Sequence, residues 1–182
     1  GVVAVLGAVC FVSFLGEGAM LDWSAVYLHE VRQVDVARAG WGFVAFNVAM
    51  TITRLLGDGV IARVGSAPTV AIGGLLAAGG LALVVLAPDL RASLAGHALL
   101  GIGCANIVPV MFSLAGRQRR MPVHLAIPAV TTLGYAGVLA GPALIGFVAD
   151  GAGLAAALLA VAVALALAAL LGARTAGREL RA

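Results

Sequence analysis

The 182-residue chain is 63% hydrophobic and only 10% charged, with a mean hydropathy of +1.13. A soluble domain of this length carries roughly 25% charged residues, so the composition excludes a water-facing globular surface and calls for lipid as solvent. The formal net charge of +3 rests on 11 arginines and no lysine. They sit in short loops between apolar runs without aromatic interleaving, a pattern that excludes nucleic-acid binding.

Crossing ~30 Å of hydrocarbon takes ~20 apolar residues in a helix, and only helices or closed barrels satisfy the backbone there. The apolar runs are continuous and rich in Ala and Leu rather than alternating with period two, which predicts helices. Six spans are expected, at about 2–27, 39–57, 67–87, 92–115, 125–149 and 153–172. Ser66 and Pro68 open the third, and Pro88 closes it. The chain starts within an apolar run at Gly1, without a basic leader or cleavage site, and reads as a piece of a longer polypeptide rather than as a signal peptide.

Arginine placement predicts orientation. Arg54, Arg63, Arg117, Arg119, Arg120, Arg174, Arg178 and Arg181 fall on one side, and Arg32, Arg38 and Arg91 on the other. The richer side is expected to be cytoplasmic, with both chain ends there. Glu30, Asp35, Asp89 and Asp150 mark the outer loops. Trp23 and Tyr27 suit an outer aromatic belt, with Trp41 opposite them.

Within the first span, Phe14-Leu15-Gly16-Glu17-Gly18-Ala19-Met20 places a carboxylate in the membrane. Its insertion costs on the order of 3 kcal/mol, so Glu17 is expected to face the bundle interior or a wet cavity. It serves there either as a proton or substrate site or as a structural hydrogen-bond partner. Asp22, five residues on, lies about 140° around the helix and close to the outer interface, where it stays hydrated.

In the second span, Asn47 lies midway, and Arg54 and Asp58 stand four apart, a spacing that allows an ion pair. With Arg63 they form either a conformational latch or a plain basic interface. In the fourth span, His97 is a titratable group that can partner an acid, and Asn106 can bond across helices. Pro109 frees a backbone carbonyl and predicts a kink and cavity wall at mid-span. The fifth span holds Tyr135, Gly137, Gly141, Pro142 and Gly146. Its small-residue spacing permits close packing, and its proline a bend.

A weak internal match links the two triplets of spans. Gly42-Phe43 is followed sixteen residues later by Asp58-Gly59, and Gly134-Tyr135 by Asp150-Gly151 at the same interval. Enzyme signals are poor. Cys10 and Cys104 lie in apolar runs without a partner motif, His29-Glu30 lacks the second histidine of a zinc site, and no nucleophile elbow or phosphate loop is present. No cofactor, metal or catalytic residue is expected.

The stretch Glu17-Gly18-Ala19-Met20-Leu21-Asp22-Trp23-Ser24 resembles the seventh helix of major facilitator superfamily transporters, in their YbjJ-type branch. Arg63-Val64-Gly65 is similar to the superfamily's short cytoplasmic loop, although Ala62 stands where its acid belongs and Ser66-Ala67 replace its basic pair. The fifth span resembles the eleventh helix, with its Gly141-Pro142 break. The resemblance spans the chain and implies an all-α, six-helix half of a twelve-helix fold. It implies a bacterial inner-membrane location, a missing N-terminal six-helix partner, and transport of a small-molecule substrate by alternating access. Spans one, two, four and five would line the cavity, and spans three and six would face lipid. Proton coupling through Glu17 is the expected mode. A non-transporting sensor or assembly protein on the same fold is the alternative.

Overall fold

The computed structural model describes residues 1–179, which are helical almost throughout. Arg181, counted above with the basic side, lies outside the described residues. Five helices are long and apolar enough to cross a membrane: Val2–Val31, Ser66–Leu86, Leu90–Arg117, Val123–Ala152 and Leu154–Arg178. A sixth span is broken, its segments Val36–Leu55 and Gly57–Val64 meeting at 61°. Numbered in chain order, with the broken pair second, these are spans one to six. Most run further than the apolar stretches suggested, because helical hydrogen bonding continues past the hydrocarbon edge.

Local chemistry sets the ends. Asp35 caps the second span by accepting from Ala37 N at 2.8 Å, and Asp89 caps the fourth by accepting from Ala92 N at 2.8 Å. These bonds satisfy amides that a helix start leaves without partners. Gly65 (φ 89°) and Gly153 (φ 85°) make the turns into spans three and six in a region that L side chains avoid. Span three ends before Pro88, and its last carbonyls find side-chain donors. Tyr27 Oη donates to Val85 O at 3.0 Å, and the Arg32 guanidinium donates to Ala87 O. Tyr27 is therefore buried rather than part of a lipid-facing aromatic belt, because its hydroxyl is spent on a helix terminus. Trp23 is half-buried as well. Trp41 is exposed, with the Arg38 guanidinium 6.0 Å from its ring centre.

The main packing partners are spans one with five, three with six, three with four, two with four, and one with six. Exchanging spans one, two and three for four, five and six reproduces this set: one–five becomes four–two, and three–four becomes six–one. That is the symmetry of an inverted three-helix repeat, in line with the Gly and Asp-Gly match. Spans two and five are not principal partners and flank span one. Pro128 and Pro142 both sit inside the fifth helix, which runs on past Gly141-Pro142 without an interruption in its helical assignment. Spans three and six do carry outward-facing Ile72, Leu75, Leu167 and Leu171, but they also pack on each other.

A glycine seam brings spans three and four to backbone contact. Gly73 and Gly80 stand seven apart on one, and Gly96 and Gly103 seven apart on the other, so each pair shares a helix face. A Cβ on Gly80 would meet Gly96 O at 2.8 Å, and one on Gly73 would meet Gly103 O at 2.7 Å. Backbones this near exchange dispersion contacts that lipid cannot match. Gly103→Leu in the full-length protein is expected to lower its melting temperature in detergent by the several degrees that 1–3 kcal/mol of overpacking implies, roughly. Gly79→Leu, on the exposed face of span three with open space around it, should leave that temperature unchanged.

Candidate intramembrane polar site

Span four is interrupted at Ala105 and Asn106, between the helical segments Leu90–Cys104 and Ile107–Arg117. The cause is Pro109. It has no N–H, so the carbonyl four residues earlier, that of Ala105, loses its helical donor. The kink expected from Pro109 is thus a break one turn before it. An unpaired carbonyl in hydrocarbon costs several kcal/mol, roughly, and this one is met from span two: Arg54 Nε donates to Ala105 O at 3.1 Å.

The same guanidinium reaches span one. Arg54 Nη2 lies 3.0 Å from Glu17 Oε1 and 3.3 Å from Oε2. One cation therefore neutralises the carboxylate and replaces the missing amide, tying three spans together. The expected pairing of Arg54 with Asp58 is not formed. The chain bends at Leu56 between them, which removes the i,i+4 geometry, and Asp58 is exposed on the second segment. Arg63 is exposed on the same segment. The bend rests against the break in span four: a Cβ on Gly57 would meet Asn106 Cγ at 3.1 Å.

Glu17 opens on a cleft of about 230 Å³. Span one contributes Phe14, Glu17, Gly18 and Leu21 to its lining, span two Phe43, Phe46, Asn47 and Met50, and span five Val138. Span four was expected among the lining elements; it stands behind the cleft and reaches it only through Ala105 and Arg54. The Glu17 side chain is 15% exposed and that of Arg54 40%. Arg54 Nη1 forms no hydrogen bond among the described residues. Tyr135, on span five, stacks on Phe14 with ring centres 5.3 Å apart.

Other polar residues fall differently from expectation. Asn47 lines the cleft, but its Nδ2 donates to Phe43 O at 2.9 Å within its own helix rather than across helices. Asp22 is exposed, away from Glu17. His97 is fully buried and meets no acid. Its Nδ1 donates to Ser93 O at 2.8 Å, since a carbonyl only accepts, which leaves Nε2 to accept from the Ser24 hydroxyl at 2.9 Å. Gly42 makes room for that pair: a Cβ there would lie 2.6 Å from Nε2. On span five, Gly137 sits against the backbone of Phe11, Gly146 beside the Trp23 ring, and Gly141 has open space around it. Pro142 is exposed.

Two participants were missed in the sequence: Ser24 and the Ala105 carbonyl. Trp23 Nε1 is the buried side-chain polar atom left without a partner among the described residues. Ala105 was legible, as the residue four before Pro109. Ser24 carried no signal beyond its place in the first span.

No protein-family model matches the sequence. Over 150 residues the chain is 44% identical to an uncharacterized MFS-type transporter of Yersinia pestis, a match that spans 82% of this chain and 39% of that protein. Membrane protein MosC of Rhizobium meliloti is 37% identical over 155 residues, spanning 85% of this chain and 38% of that one. The chain thus covers about two fifths of the length of the curated relatives it matches. Among solved structures, a peptide transporter POT in complex with sulfate superposes with a TM-score of 0.83 at 18% identity, over 98% of this chain and 38% of that one. A bacterial homolog of the human lysosomal transporter Spinster, inward-facing and unoccupied, gives 0.66 at 15%, over 99% of this chain and 48% of that one. In sequence the chain is thus similar to about two fifths of an MFS-type transporter, and in structure it has the fold of half a major facilitator transporter.

Proposed function

We propose that the chain is half of a secondary active transporter of the YbjJ-type branch, moving a small solute by alternating access and coupling it to protons through Glu17. The observation that carries this reading is the Glu17–Arg54 pair at the edge of an open cleft in the middle of the membrane. A carboxylate is retained there against an insertion cost on the order of 3 kcal/mol. Its partner is a cation that also holds a helix break, so a change at Glu17 is felt in spans two and four.

The second half of the cavity comes from an N-terminal six-helix partner facing spans one, two and five, and the fragment alone does not transport. A sensor or assembly protein would seal Glu17, Asn47 and Asn106 in dry contacts; Asn106 is buried, but Glu17 and Asn47 line the cleft, which favours transport. The protein is no enzyme in this reading. It resides in the bacterial inner membrane, with both chain ends cytoplasmic.

In the full-length protein, Glu17→Gln should abolish uptake driven by a pH gradient while substrate exchange across proteoliposomes persists. A wild-type uptake rate with wild-type pH dependence would remove Glu17 from the coupling role. Arg54→Ala, which strands a carboxylate and a carbonyl, should destabilise, but by less than the about 3–5 kcal/mol of a fully buried pair, because the guanidinium is 40% exposed. Glu17→Gln combined with Arg54→Gln should cost less than Arg54→Ala alone, read as melting temperature in detergent. Topology reporters fused after Arg120 should score cytoplasmic, and those placed between Asp35 and Arg38 periplasmic; the reverse pattern would refute the assigned orientation.

A further inference from the structure

Away from the cleft, spans one and six enclose a groove of about 270 Å³ on the outer face of the bundle. Val5, Val9 and Val12 line one side, and Ala164, Leu167 and Leu171 the other. Leu167 and Leu171 are exposed, and the helix continues unbroken to Glu179. Arg174 and Arg178 follow Leu171 at steps of three and four, so both arginines extend the stripe that lines the groove. Both are exposed, and among the described residues neither forms an ion pair. Arg174 stands about 4.5 Å further along the axis than Leu171, and Arg178 about 10 Å, from the helical rise.

An apolar slot in a membrane face, ending in two exposed cations at the level where hydrocarbon gives way to water, has the layout of a lipid. We propose that this groove is a binding site for an anionic phospholipid, with one acyl chain between spans one and six and the phosphate on Arg174 and Arg178. Charge complementarity selects this occupant over a zwitterionic lipid. Both arginines are on offer, and basic residues at helix ends on one membrane face attract anionic headgroups. The cleft at Glu17 opens between spans two and five, so the two sites are separate and this one does not depend on transport.

The test titrates the full-length protein in detergent with phosphatidylglycerol or phosphatidylcholine and counts retained lipid by native mass spectrometry. The wild type is expected to retain phosphatidylglycerol preferentially, and less of it as salt rises. At about five-fold per arginine, Arg174→Gln with Arg178→Gln should weaken that retention about twenty-five-fold and leave phosphatidylcholine unaffected. Leu167→Trp, filling the groove from an exposed position, should weaken both. The salt titration needs only wild-type protein, so a poorly folding variant leaves the test intact. Equal retention of the two lipids by the wild type, or wild-type retention by the double variant, overturns the proposal. So does a dimer that Leu167→Trp dissociates, which would assign the groove to a second copy of the chain.

Discussion

Hydrocarbon offers no hydrogen bonds, so each polar group within it needs a partner from the protein. The Arg54 guanidinium answers that demand twice, for the Ala105 carbonyl that Pro109 strands and for the Glu17 carboxylate. Span four can break at mid-membrane because span two supplies a donor, and the donor can be charged because span one supplies the counter-charge. Remove any one and the other two become expensive. A proline that would otherwise disrupt a helix is thereby joined to the acid that gives the cleft its chemistry.

Around that node, packing rests on small residues. Glycines at positions 73, 80, 96 and 103 bring spans three and four to backbone contact, and Gly137 does the same for span five against Phe11. Water gives helices no reason to associate inside lipid, so dispersion across flush surfaces takes its place. The triplet symmetry of the packing leaves spans two and five apart, and the cleft opens between them over span one. Function follows from the fold here in a direct sense: the pairing that is absent makes the cavity.

Much of this was legible in the residues. Continuous apolar runs announced six spans, Glu17 stood out as an acid where acids are costly, and Pro109 marked the weak point of span four. Partners were harder to read. Arg54 was matched to Asp58 by helical spacing, but spacing holds only while the helix does, and the bend at Leu56 cancels it. Tyr27 looked like a belt residue from its position along the span; its direction around the helix, toward the end of span three, decided otherwise. His97 met a serine rather than an acid for the same reason. Composition reports how deep a side chain lies, but not which neighbour it faces, because that depends on helices far away in the chain.

The contacts made by Tyr27 have a mechanical side. Near that end of the bundle, span one is fastened to span three through Val85 and Ala87, and to span four through Ser24 and His97. Toward the opposite end lie the two interruptions, at Leu56 in span two and at Ala105 and Asn106 in span four, stacked against one another at Gly57. A braced tripod of spans one, three and four thus stands toward one end of the bundle, and a pair of nested joints, held to span one by the Arg54–Glu17 pair, toward the other.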